Sequence, residues 1–111
     1  MYSTDYLLEK FEVAIYDLAT GEGDARSRVD VAFHRFWHIR IEEFPVDTKV
    51  ARMEIDALIT RLPGREGYVI PDNLLKMKNK TASRIAANIL DIYKTLVDTK
   101  SRRDGPQLLS P

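Results

Sequence analysis

His34 and His38 stand four residues apart, and Glu42 follows four later, so one continuous helix would stack all three on a single face. Two imidazoles and a carboxylate at that spacing are ligands for zinc or a similar ion. The residues between the histidines are Arg35, Phe36 and Trp37, without the glutamate that a zinc-protease helix places directly after its first histidine, so hydrolysis is unsupported. The same face lies nearly opposite Val29, Phe33 and Phe36, where a solvated polar surface needs no metal. An imidazole tucked beside Trp37 is a second structural reading. We therefore expect no metal and no cofactor.

Two further stretches could meet phosphate. Gly21-Glu22-Gly23 has the glycines of a phosphate cradle, but an amphipathic helix precedes it and no Lys-Ser/Thr follows. Glu22 and Asp24 would repel an anion at the next helix's start. The segment reads instead as a joint, with Gly21 as C-cap, Gly23 as the turn and Asp24 as N-cap. Lys76, Lys78, Lys80 and Arg84 concentrate positive charge near the start of the last helix, and Lys100, Arg102 and Arg103 add more at its far end. That cluster can neutralise phosphates without reading sequence, which makes association with nucleic acid the alternative function. Overall charge does not favour it: residues 1–63 hold 12 acidic and 8 basic side chains, residues 64–111 hold 5 and 9, and the sum is zero. No catalytic triad, paired-carboxylate or nucleophile-elbow arrangement stands out, so the chain is not read as an enzyme.

These residues need elements to position them. From Asp5 to Thr20 the residues Leu7, Leu8, Phe11, Ala14, Ile15 and Leu18 form one helical stripe, capped by Ser3 or Thr4. A second helix starts after Asp24 and runs to about Ile41, stopping before Phe44-Pro45. A third, capped by Asp47 or Thr48, ends near Leu62, before Pro63-Gly64. Residues 63–73 are the longest irregular segment, with Tyr68-Val69-Ile70 a candidate extended piece. The last helix carries Ala82, Ile85, Ala86, Ile89, Tyr93, Leu96 and Val97; Leu74 and Leu75 extend its stripe back to Pro71–Asn73, across an irregularity near Asn79–Thr81. After Thr99 the period is lost. The expectation is an all-α fold, a compact bundle of four main helices with helix two central, residues 1–99 forming one domain and residues 100–111 a flexible tail. Asp30, Arg40, Glu54 and Arg61 fall close to the apolar arcs and should be paired.

The runs "YLLEKFEVAIYDLATGEGDARSRVDVAF", "EEFP" and "KNKTASRIAANILDIY" resemble pieces of a group of short uncharacterised helical proteins of bacteria, over most of residues 6 to 98. The resemblance implies a bacterial origin and a helical fold. It carries over no catalytic or binding residue.

The absence of cysteine excludes disulfides and thiolate chemistry and permits a reducing compartment. Acidic residues interrupt the first twenty positions, so neither a leader nor a membrane span is expected, and the cytoplasm is the expected location. Tyr2, Tyr6, Val13 and Tyr16 lie away from the inward stripe of helix one. Tyrosines beside a valine suit a protein interface, so Tyr6, Val13 and Tyr16 are the candidate docking residues, for a protein partner or a homo-oligomer. Val50, Met53 and Ala57 on helix three form a second candidate patch.

Overall fold

The computed structural model describes residues 3–108, with side chains for residues 3–103. Among them are five α-helices and no strand: α1 (Thr4–Thr20), α2 (Ala25–Phe33), α3 (Val46–Ile59), α4 (Val69–Lys76) and α5 (Asn79–Leu108), with a 3₁₀ turn at Ile41–Glu43. Ser3 caps α1 by accepting from the Tyr6 N–H at 3.2 Å. The joint after α1 has the expected parts. Gly21 N–H donates to the Asp17 carbonyl at 2.8 Å, Gly23 turns at φ 87°, and Asp24 accepts from the Ser27 N–H at 3.0 Å.

Helix two ends at Phe33 rather than near Ile41. Its last turns mix in three-residue bonding: the N–H groups of Arg35, Phe36 and Ile39 donate to the carbonyls of Ala32, Phe33 and Phe36, while the Trp37 N–H keeps a four-residue bond to the Phe33 carbonyl. The spacing of the apolar residues permits the change. Phe33, Phe36 and Ile39 recur every three positions, and a three-residue turn turns all three into the core, whereas a 3.6-residue helix would spread them. Trp37, which the longer helix would have placed in the apolar stripe, is left 58% exposed.

The element that packs against α1, α2 and α3 alike is α5, not α2. Its residues Ala82, Ile85, Ile89, Ile92 and Leu96 are buried, facing Leu7, Phe11 and Ala14 of α1 and Ala51, Ile55 and Leu58 of α3 in one apolar core. The segment read as irregular holds α4, and the chain breaks at Met77-Lys78 instead of running on into the last helix. Helix α3 stops at Ile59, three residues short of Leu62. Helix α5 continues past Thr99, where hydrophobic period alone places its end. Charge pairs carry it on: Arg102 meets Asp98 at 3.4 Å, and Lys100 and Arg103 meet Asp5 of α1 at 3.2 and 3.1 Å. Tyr2 and residues 109–111 of the expected tail lie outside the described residues.

Candidate functional site

The three-residue turns after α2 are held from below by a buried cation. Arg52 of α3 is 4% exposed, and its guanidinium carbon sits 5.8, 5.2 and 5.4 Å from the ring centres of Phe33, Phe36 and Phe44. It donates to Asp56 Oδ1 at 2.7 Å and to the Ile39 carbonyl at 3.3 Å, while its Nε has no hydrogen-bond partner among the described residues. Burial pulls the guanidinium below its usual pKa, with Asp56 opposing; burial likewise raises Asp56, with Arg52 opposing. Three aromatic faces compensate part of that desolvation. From the other side, Asp17 of α1 binds Arg35 through two bonds of 2.7 and 3.2 Å and anchors the turns laterally.

A second clamp fixes the chain between α3 and α4. The buried Asn73 side chain accepts from the Leu62 N–H at 2.9 Å and donates to the carbonyls of Leu62 at 2.9 Å and Val69 at 2.8 Å. Asp72 takes the Arg65 backbone N–H and two guanidinium N–H groups at 2.9, 3.1 and 2.8 Å, and these bonds hold its carboxyl down to about 2. Gly64 lies so close that a Cβ there would meet the Val69 Cα at 2.9 Å. Gly67, at φ 77°, supplies the left-handed turn that brings the chain into α4.

Between these two held segments lies an open cleft of about 530 Å³. Phe33, His34 and Trp37 form one wall; Val69, Ile70 and Pro71 form the other, with Thr60 and Gly67 completing it. The lining is mostly apolar. His34 Nδ1–H donates to the Asp30 carbonyl at 2.6 Å, and its Nε2 has no hydrogen-bond partner among the described residues.

The expected sites fall as follows. His34 and His38 are not stacked with Glu42, because the helix that would align them ends at Phe33. His38 Nε2 lies 3.0 Å from the Tyr6 hydroxyl, its ring edge-on to Trp37 at 6.2 Å, and no group of three or more metal-ligating side chains forms among the described residues. Tyr6 is half-buried against the core, so the strip it shares with Val13 and Tyr16 leaves the latter two exposed. Lys78, Lys80 and Arg84 line a cavity of about 370 Å³ together with Arg61; Lys76 is exposed outside it. Glu54 pairs with Arg84 at 2.6 Å, and Asp30 Oδ1 lies 3.2 Å from His34 Nδ1 with both side chains about half-exposed; Arg40 and Arg61 are exposed, so these charges sit outside the core rather than at its edge. Phe33, Phe36 and Ile39 take the inward positions and leave Trp37 outward, so their three-residue spacing is the sequence signal for the cleft.

Comparison with protein-family models, curated proteins and solved structures finds no match to the chain. None of the described helices is long and apolar enough to cross a membrane. The functional reading rests on the geometry.

Proposed function

We propose that this chain is a protein-docking module that receives an apolar side chain, carried on a segment of a partner protein, in the cleft beside Trp37. The carrying observation is an indole 58% exposed on the wall of an apolar cleft whose two sides are each fixed by buried polar clamps. Exposing tryptophan to water forfeits its large apolar surface, and tryptophan is among the residues that dominate binding energy at interfaces. The cleft is open, which suits a segment that continues past it better than a small molecule that a pocket would enclose. His34 Nε2 supplies a polar contact at the edge. The cysteine-free sequence fits a reducing cytoplasm, where we place the protein.

Selection of displayed random peptides on the native protein tests this reading. Peptides carrying an aromatic or aliphatic anchor are expected, with affinity falling about 30-fold or more on Trp37→Ser, the size of a 2 kcal/mol hot spot. The helical circular-dichroism spectrum should stay unchanged. Failure to enrich any peptide, or equal binding to Trp37→Ser, overturns the proposal.

A second reading has its own observation, the cavity lined by Arg61, Lys78, Lys80 and Arg84. It makes the protein a nucleic-acid accessory whose affinity falls as salt rises, because bound phosphates release counterions. Fluorescence anisotropy with a single-stranded and a duplex oligonucleotide at low salt should then show binding that Lys78→Gln with Lys80→Gln weakens. Absence of binding at low salt removes this reading.

A further inference from the structure

Helix α3 carries an apolar strip on the side away from its own core. Val46, Val50 and Met53 are 78%, 76% and 58% exposed, and Ala57 is exposed with them, while Ala51, Ile55, Leu58 and Ile59 face inward. The spacing of the strip is four, three, four, the seam of two helices packed side by side. A solvated helix face has no reason to keep that period.

We propose that this strip is the contact between two copies of the chain, with α3 lying parallel to its counterpart about a two-fold axis. The flanking charges choose the occupant and its direction. With Val50 and Ala57 at one seam position and Val46 and Met53 at the other, a parallel pair brings Lys49 beside the second copy's Glu54 position. The pairing is of opposite sign, and symmetry repeats it. Glu54 has an oxygen to give: Arg84 takes Glu54 Oε1, while Oε2 has no partner among the described residues. An anionic membrane surface fits poorly, since flanks of both signs present no basic face to it. The seam is short, so the dimer is weak and depends on concentration. The inference does not rest on the Trp37 cleft.

The absence of cysteine gives a direct test. Only in a parallel pair does every seam position meet its own copy, so single Val46→Cys and Ala57→Cys variants, at opposite ends of the seam, should each form an intermolecular disulfide on mild oxidation. Tyr16→Cys on the exposed face of α1 serves as the collision control. Sedimentation equilibrium of the native protein should show a monomer–dimer equilibrium that Val50→Lys abolishes with an unchanged helical spectrum. A native protein that stays monomeric at all concentrations, a Val50→Lys variant that dimerises as before, or cross-linking at either seam end no faster than at Tyr16→Cys overturns the proposal.

Discussion

Replacing Arg52 by alanine should destabilise the protein by about 3 kcal/mol, within the range for emptying a large buried site and stripping a buried charge pair of one member. Three losses combine. The space among Phe33, Phe36 and Phe44 empties, the Ile39 carbonyl loses its side-chain donor, and Asp56 loses its cation. Asp56 is half-exposed, so water replaces part of that last contact, and the cavity dominates. Arg52→Met keeps most of the volume and should recover about half of the loss. In a domain of this size the alanine variant should melt on the order of 15 °C lower. Thermal unfolding followed by circular dichroism decides the matter: a loss under about 1 kcal/mol would mean that the aromatic rings close over the gap without the guanidinium.

Asn73→Ala should cost about 2 to 4 kcal/mol, because the Leu62 N–H and carbonyl lose their partner in a part-buried place. The loss should be local as well as global, with the amides of residues 61–68 exchanging with solvent faster than those of α5. Unchanged exchange there would show that Asp72 and Arg65 hold the segment alone. Asp72 adds a pH arm. Its folded pKa of about 2 lies below its ordinary 3.8, so its contribution is complete above 3.8 and is lost as pH falls toward 2. The stability advantage of the native protein over Asp72→Asn should therefore shrink through that window in urea titrations. An advantage that stays constant from pH 5 to pH 2 would contradict the assignment.

The helices that a 3.6-residue stripe can specify were legible in the sequence. Helix α1, its Ser3 cap and the Gly21–Asp24 joint follow from local pattern and capping chemistry, which act within a few residues. The end of α2 did not, because its aromatics satisfy two periods at once. Phe33, Phe36 and Trp37 fit an α-helical face, and Phe33, Phe36 and Ile39 fit a three-residue one. Arg52, thirteen or more positions later, selects the second by bonding the Ile39 carbonyl and filling the space among the rings. Helix α4 was hidden for a related reason. Its start depends on Asn73 and Asp72 reaching back to Leu62 and Arg65, contacts that no local period records. The candidate cleft lies between those two places, and so the residues that build it were the ones hardest to read. The α3 strip, by contrast, was visible in part as Val50, Met53 and Ala57; Val46 became its fourth member once Pro45 took the N-cap position.

The chain has a single tryptophan, so its ¹H–¹⁵N spectrum holds one indole cross-peak, that of Trp37. Titrating the labelled protein with a peptide selected on the native surface tests the docking site directly. The account predicts that the Trp37 indole peak moves together with the backbone peaks of His34, Thr60, Gly67 and Val69, which surround the cleft. Shifts confined to the α1 face of Val13 and Tyr16, to the α3 strip or to the basic cavity, with the indole peak unmoved, would contradict it.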